Sequence, residues 1–365
     1  MSSPARPTSR WRIGSLVGIP VYLGASWAVI AVAITILFGP LITGIVPSVG
    51  RAGGYAVGAA FAVLLLFSVL VHEAAHALMA RRLDFTVERI VADFWGGHTA
   101  YHGDTSRPGA SALVAVAGPL ANLALAAVGW LLVQDMERGV LWLLLTAFTT
   151  ANVFVGAFNL LPGLPLDGGF LLEALVWKAT GSRGMGSLVA GWSGRLLVLG
   201  LIWWAVGIPL LLGGRLDLTR LIWVALICLF LWAGASRAVK AGRAQRRFER
   251  TTVASVWRSV RHVPDRAAVA DVAWADSALW LVTGVDGAPS GMVDDQALRA
   301  VWASGDTGTP VSAVSLAQPA GWVVDTDPDS SVIDVVTSMQ QARSPVAAIR
   351  LASGQVPAVV FAADL

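Results

Sequence analysis

Six apolar segments, each long enough to cross a lipid bilayer, constrain this chain more than any other feature of its sequence. A helix rises about 1.5 Å per residue, so about 20 residues span a hydrocarbon core of roughly 30 Å. Hydrophobic residues make up 56% of the 365 residues and charged residues only 13%, which excludes a single soluble globular domain. We therefore predict a polytopic protein embedded in the lipid bilayer. The predicted spans are Val21–Val46 (alternatively ending near Phe38, before Gly39 and Pro40), Val57–Ala80, Ser111–Val133, Val140–Leu161, Leu188–Leu212 and Leu218–Ala235.

Charge divides the chain into two parts. Residues 1–250 hold 20 Lys and Arg against 11 Asp and Glu, whereas residues 251–365 hold 6 against 12. Because Lys and Arg are enriched in cytoplasmic loops, their positions predict that the N- and C-termini are both cytoplasmic. Basic residues that follow the ends of apolar segments give no support to nucleic-acid binding. The predicted domains are a six-helix membrane domain over residues 1–236, a basic juxtamembrane linker over 237–250 and a soluble domain over 251–365.

A glutamate and two histidines interrupt the second apolar segment, in the sequence HEAAH. On a helix His72 and His76 are four residues apart on one face, so both imidazoles can bind one metal ion, with Glu73 placed as a general base. The pattern also arises by chance on surface helices with solvated histidines. Here the uncharged flank Val57–Val71 would lie in hydrocarbon, where ionisable groups are costly and usually functional. The chain has a single cysteine, so any zinc must be held by histidine and carboxylate.

The segment after the fourth span offers a carboxylate as the third ligand. In FNLLPGLPLDGG, Pro162 and Pro165 break the helix and Gly168 and Gly169 loosen the chain, so irregular backbone is predicted to carry Asp167. Such backbone is tolerated at membrane depth only inside protein or beside water. Two histidines and a carboxylate leave the fourth zinc position open for water, as catalytic zinc requires. The alternative is a plain turn with a solvated aspartate.

The segment Phe85–Asp104, between the second and third spans, alternates in polarity around Gly96 and Gly97. It predicts a small β-hairpin on the cytoplasmic side, and an exposed strand there could pair with an extended substrate through main-chain hydrogen bonds. His98 and His102 raise the alternative of a second metal site. Four residues apart on an extended chain, they are too distant to chelate one ion without a bend.

Asn122 is a polar group inside the third span, in the sequence AGPLAN. A side-chain amide in a spanning helix needs a partner within the helix bundle. The residue therefore either joins helices or acts near the site, and the sequence leaves both interpretations open.

Three motifs together resemble the site-2 protease family of intramembrane zinc metalloproteases. They are HEAAH at residues 72–76, AGPLAN at 117–122 and NLLPGLPLDGG at 159–169, and the resemblance covers about residues 10–235. The resemblance is specific because separated motifs, HEAAH and NLLPGLPLDGG, occur in the right order and on the right spans. One departure is Phe170, which stands where the family often has an arginine after DGG; it removes a local salt bridge and leaves the ligand set unchanged.

The resemblance implies a role for each site residue. His72, His76 and Asp167 would bind zinc, Glu73 would be the catalytic base, and Asn159 would help to hold the substrate or the oxyanion. The candidate substrate-binding residues are thus Asn159 and, from the features above, Asn122, Gly96 and Gly97.

The tail, residues 251–365, shows two passes of strand, helix and strand and is similar to a tandem CBS pair, found in one branch of that family. CBS pairs often bind adenosine nucleotides. In the first copy the usual Thr and Asp fall on Asp294 and Ala297, and in the second copy Phe361 replaces the Thr while Asp364 matches. The resemblance implies a regulatory or dimerising module, with an adenosine nucleotide and a homodimer through the CBS pair as candidate partners and no nucleotide-binding residue assigned.

Together these features predict an all-α polytopic membrane domain, with six transmembrane helices and a small β-hairpin, followed by a soluble α/β CBS-pair domain. The predicted function is a zinc endopeptidase that cleaves transmembrane segments of membrane-bound substrate proteins, in regulated intramembrane proteolysis. A metal transporter or channel gated by the CBS pair is the alternative, with the same side chains along an ion path. Against it, neither motif has a second copy, as the related halves of a transporter would show. The intact Glu73 argues against a third possibility, a catalytically silent relative.

Overall fold

Long apolar helices dominate the first part of the chain. In the residues that the computed structural model describes, six helices are long and apolar enough to cross a membrane, as predicted. Between 11% and 39% of the most apolar stretch of each is buried inside the protein, which leaves broad apolar faces for lipid. The structure describes residues 10–93, 96–102, 107–272 and 278–365. The helices of this part are α1 (Ser26–Ile45), α2 (Gly50–Arg82), α3 (Pro108–Val133), α4 (Val140–Asn159), α5 (Asp167–Thr180), α6 (Arg183–Ile202), α7 (Ile208–Leu211) and α8 (Leu218–Arg250).

The first predicted span, Val21–Val46, is wrong at its beginning. Residues Ile19–Gly24 form a strand, β2, and α1 starts only at Ser26. A tight turn with positive φ at Val17 and Gly18 reverses the chain before this strand, and the apolar composition of the strand resembles the start of a helix. The alternative end near Phe38 is also wrong, because α1 continues through Pro40.

The predicted hairpin is part of a larger sheet. Its strands, β3 (Thr86–Asp93) and β4 (Gly96–His102), pair antiparallel as predicted. β2 pairs parallel with β3, and β1 (Arg10–Leu16) pairs antiparallel with β2, which gives the order β1-β2-β3-β4. The prediction of a small hairpin is therefore incomplete. β4 is an edge strand, and the sheet packs against α2 through β3 and β4.

The glycines and histidines predicted in the hairpin belong to β4. Gly96 pairs with Asp93 and Gly97 with Ala92 across the hairpin. His98 and His102 are separated by extended backbone, a distance of about 13 Å along the strand. Residues 94–95 and 103–104 of the predicted segment lie outside the described residues.

The described residues of the tail form an α/β unit. Its elements are α9 (Val253–Val256), β5 (Arg258–Pro264), β6 (Leu279–Thr283), β7 (Pro289–Val293), α10 (Asp295–Ser304), β8 (Ser315–Ala317), β9 (Val323–Asp325), α11 (Ile333–Ala342), β10 (Val346–Arg350) and β11 (Ala358–Phe361). The strands follow the order β8-β7-β6-β5-β11-β10-β9. One cluster of buried hydrophobic residues surrounds Leu298 of α10 and another surrounds Val335 and Met339 of α11, in keeping with two predicted passes of strand, helix and strand. A third cluster joins the two passes, with Leu281 of β6 and Val359 of β11 among its members.

The chain divides into two compact units, Met1–Arg243 and Ala244–Leu365. The boundary falls inside the segment 237–250, for which the sequence predicts a basic linker. That segment is helical and forms the last turns of α8.

Candidate active site

Three side-chain atoms from two distant segments converge in the first unit. His72 Nε2 lies 3.1 Å from His76 Nε2 and 3.0 Å from Asp167 Oδ2, and His76 Nε2 lies 3.5 Å from the same oxygen. Ligand atoms about 2.0–2.1 Å from a tetrahedral zinc ion are about 3.3 Å apart. The triangle of ligand atoms therefore has the size that zinc requires.

The other ring nitrogen of each histidine faces an oxygen atom. His76 Nδ1 lies 2.7 Å from the carbonyl oxygen of Val114, and His72 Nδ1 lies 2.6 Å from Asn122 Oδ1. Oxygens of this kind accept hydrogen bonds, so each Nδ1 carries the proton and each Nε2 presents a lone pair. The buried Asp167 Oδ2 then has no donor, and it makes no hydrogen bond. Three acceptor atoms facing one another need a cation between them, which fits a metal site.

Glu73 is buried beside the two histidines. Its carboxylate lies within 4.8 Å of ligand atoms of both His72 and His76. A carboxylate at this distance can reach a water molecule at the open metal position and can act as a base.

Gly118 of α3 leaves open the space in front of the two imidazoles. A Cβ atom at this position would lie 2.7 Å from His72 Nε2 and closer still to His76 Nε2. Those distances are comparable with zinc–nitrogen bonds of about 2.0–2.1 Å, so a side chain here would enter the volume that a metal ion needs. Gly118 is a site residue that was not predicted from the sequence, although a glycine inside an apolar helix is a signal of close approach.

Asp167 is the first residue of α5, directly after the irregular segment over residues 160–166. The predicted irregular backbone therefore ends just before the carboxylate. The prediction that Gly168 and Gly169 loosen the chain is wrong, because both are buried in the first turn of the helix. A Cβ at either glycine would overlap backbone atoms of residues 160–164. The two glycines let α5 pack directly on the loop that precedes it.

Helices α6 and α8 hold the same loop from other sides. Leu164 N donates a hydrogen bond of 3.0 Å to the carbonyl oxygen of Ala190 in α6. A Cβ on Gly194 would overlap the carbonyl oxygen of Leu164, and one on Gly234 of α8 would lie 2.5 Å from the ring of Pro165. Packing against these two helices thus fixes the position of the loop that leads to Asp167.

The remaining predicted residues lie at different distances from this centre. Asn122 is fully buried on the far side of the His72 ring from the ligand triangle, hydrogen-bonded to that ring. Asn159 is partly exposed and ends α4, where the loop toward Asp167 begins. Gly96 and Gly97 lie in β4, on the sheet that packs against α2.

Sequence reasoning missed two polar side chains that bond to Asn122. They are Ser68, one turn before His72, and Asn152 of α4, and both are buried. The available signal was a polar residue within each of two apolar spans, since such groups need partners inside the bundle.

Comparison with known proteins agrees with this geometry. The family model for Peptidase family M50 matches residues 60–137 and 133–199. A protein of Mycobacterium tuberculosis named as the zinc metalloprotease Rip3 is 33% identical over 297 residues, which cover 74% of this chain and 74% of that protein. A zinc metalloprotease of a Synechocystis species, sll0528, is 31% identical over 247 residues, which cover 66% of this chain and 62% of that protein.

Two solved structures are similar to different parts of the chain. The site-2 protease from Methanocaldococcus jannaschii is 24% identical, with a TM-score of 0.45, over 63% of this chain and 95% of that chain. A hemolysin-like protein containing a CBS domain, from Oenococcus oeni PSU, is 16% identical, with a TM-score of 0.27, over 33% of this chain and 92% of that chain. With its motifs, its helices and a relative of 33% identity that covers 74% of it, the chain belongs to Peptidase family M50 and is a zinc metalloprotease of the site-2 protease type.

Proposed function

We propose that this zinc metalloprotease is an intramembrane endopeptidase that cleaves transmembrane segments of membrane-bound substrate proteins. One observation carries the proposal: the converging ligand atoms of His72, His76 and Asp167 lie among helices apolar enough to span a bilayer. Two of the ligands and Glu73 project from α2, itself one of those helices. A peptide bond cleaved there belongs to a chain that has entered the membrane.

Each group of residues at the site has its own role in the proposed reaction. Zinc held by His72, His76 and Asp167 would lower the pKa of a bound water and polarise the scissile carbonyl. Glu73 accepts a proton from the attacking water and delivers it to the leaving amine. The Val114 carbonyl and the Asn122 amide hold the two imidazoles by their Nδ1 atoms.

The substrate must present an unwound segment to this site. A spanning helix hides its carbonyl groups in internal hydrogen bonds, so it has to open locally before one can react. The edge strand β4, with Gly96 and Gly97, is suited to pair with such an extended segment. By resemblance, Asn159 at the end of α4 would hold the substrate or the oxyanion. Helix-breaking residues in the substrate should therefore favour cleavage.

The experiment that tests this function is a cleavage assay in cells. Single-span reporter proteins with and without a Gly-Pro pair in the span are expressed with the wild-type protein or with Glu73→Gln. We expect cleavage only with the wild type, and faster cleavage of the helix-broken reporter. Cleavage confined to the soluble parts of the reporters would refute the intramembrane assignment. The alternative of a CBS-gated transporter is not favoured, because the matching family model and the relatives of highest coverage are peptidases.

For the tail we propose regulation without a catalytic role, by a cytoplasmic CBS pair that controls substrate entry or dimerises two proteases. In this tail Asp364, which matches a CBS residue, already accepts hydrogen bonds of 2.8 and 2.5 Å from Arg258. The carboxylate raises the pKa of the Arg258 guanidinium above its ordinary value. An adenosine nucleotide at the second copy would have to displace this arginine.

A truncated chain that ends at Arg250 tests the regulatory role of the tail. It should keep its zinc, and its cleavage rate should change. Loss of all cleavage with zinc retained would contradict a purely regulatory tail.

A further inference from the structure

A buried hydrogen-bond network lies behind His72, on the side away from the metal ligands. It consists of Ser68 from α2, Asn122 from α3 and Asn152 from α4, each at most 3% exposed. Asn122 Nδ2 donates to Ser68 Oγ at 3.0 Å and to Asn152 Oδ1 at 2.9 Å, and Ser68 Oγ donates to the same Oδ1 at 2.7 Å. Both hydrogens of the Asn122 amide and both acceptor positions of Asn152 Oδ1 are therefore used.

One carbonyl group sets the direction of every bond in this network. Asn152 Nδ2 lies 2.9 Å from the carbonyl oxygen of Phe148, which can only accept. The nitrogen of the Asn152 amide must therefore face Phe148, and its oxygen must face Asn122. Asn122 in turn must present its nitrogen to Asn152 and its oxygen to His72, whose Nδ1 is 2.6 Å away.

We propose that Asn152 is a positioning residue for zinc, because it fixes the orientation of the Asn122 amide and thereby the tautomer of His72. With Asn122 Oδ1 toward the ring, His72 carries its proton on Nδ1 and offers the Nε2 lone pair to the metal. A reversed Asn122 amide would present its nitrogen to Nδ1 and favour the tautomer with a proton on Nε2, which cannot bind zinc. His76 needs no such chain of side chains, since the Val114 carbonyl accepts a hydrogen bond from its Nδ1 directly.

The test uses the full-length protein, purified in detergent, with zinc affinity measured by competition with a chromogenic chelator. Asn152→Leu removes the acceptor without touching a ligand, and we expect zinc to bind about tenfold more weakly, at the lower end of the effect of residues that support metal ligands. Ser68→Ala should cost less, because the bond between Asn122 and Asn152 remains. Thr149→Val is the matched control: Thr149 is buried in the same helix, and its hydroxyl has no hydrogen-bond partner among the described residues. It should bind zinc as the wild type does.

A double variant distinguishes an effect of Asn152 on the orientation of the Asn122 amide from an effect on packing. In Asn122→Asp combined with Asn152→Leu, residue 122 has two acceptor oxygens, so it accepts from His72 Nδ1 whichever way it turns, and Ser68 can donate to the other oxygen. We expect zinc affinity to return toward that of the wild type. The visible absorption of the cobalt-substituted proteins should be altered in Asn152→Leu and restored in the double variant, because it reports the coordination by His72.

The outcomes distinguish this inference from the proposed zinc site on which it rests. If the wild type binds no zinc, both fail. If the wild type binds zinc and folded Asn152→Leu binds it equally well with an unchanged cobalt spectrum, the inference alone is overturned. It is also overturned if a folded double variant restores nothing, since Asn152 would then act through packing. If Asn152→Leu does not fold, Asn152→Ala replaces it. This variant also removes the acceptor oxygen, leaves a cavity instead of a branched side chain, and should weaken zinc binding in the same way.

Discussion

Gly118 faces the imidazole of His76 so closely that a Cβ atom on it would overlap Nε2. The space that zinc needs is thus kept open by a residue that binds nothing. We predict that Gly118→Ala lowers zinc affinity at least as much as loss of a residue that supports a ligand, roughly tenfold or more. Metal analysis of the purified protein measures this. Gly109→Ala is the control, because Gly109 lies in the same helix with no atom near its missing Cβ; equal zinc in both variants would contradict the assignment.

Variants of the proposed zinc ligands and of the proposed base should differ in which property they lose, zinc content or activity. His76→Ala and Asp167→Ala should lose most of their zinc, because each removes one of three protein ligands. Glu73→Gln should keep its zinc and lose about 10²–10⁴-fold in cleavage rate, the usual contribution of a general base. The measurements are zinc per chain and cleavage of a helix-broken reporter. Wild-type zinc content in Asp167→Ala would exclude that carboxylate from the site.

The loop that leads to Asp167 should be sensitive to a single methyl group on α6. In Gly194→Ala the new Cβ would overlap the Leu164 carbonyl oxygen, so the loop must move. We expect a loss of about 1–3 kcal/mol of stability, typical of overpacking, together with weaker zinc binding. Thermal unfolding and metal analysis check both. Gly200→Ala, on the same helix with open space at its Cβ, should keep its zinc and lose no stability. A Gly194→Ala protein as stable as the wild type would show that the loop can move without cost.

The charge distribution predicts which segments face the outside of the cell. In a protein with Cys228→Ser, a cysteine at the exposed position Ser48, between α1 and α2, should react with a membrane-impermeant thiol reagent in intact cells. A cysteine at Gln245, exposed near the end of α8, should react only after the membrane is permeabilised. Labelling of residue 245 in intact cells would invert the proposed topology.

The spans and the pairing of the two histidines could be predicted because their signals are local. HEAAH places His72 and His76 on one helical face, and hydropathy locates the six candidate spanning helices of the described residues. What failed depends on distant partners. Strand β2 is apolar like the start of a span, and it lies between β1, its neighbour in the chain, and β3, a parallel partner far along the chain. Ser68 and Asn152 meet across 84 residues, and no local pattern shows such a contact.

The glycines of DGG illustrate a second limit of sequence reasoning. The pattern around Gly168 and Gly169 suggests the backbone freedom of glycine, whereas the structure uses their lack of a side chain. Freedom and small size are properties of the same residue, and only the packing of α5 against its loop shows which one matters. The same applies to Gly118, whose backbone lies close to two histidines from another helix.

The zinc ligands are divided between α2 and the beginning of α5, and these segments reach the membrane at different times during synthesis. A chain inserted only as far as α3 has both histidines but lacks the aspartate. It can bind metal only weakly, because a complete site exists only when the later helices have docked. A partly inserted chain would therefore lack a complete site, and cleavage of other membrane proteins would begin only after its own later helices have docked.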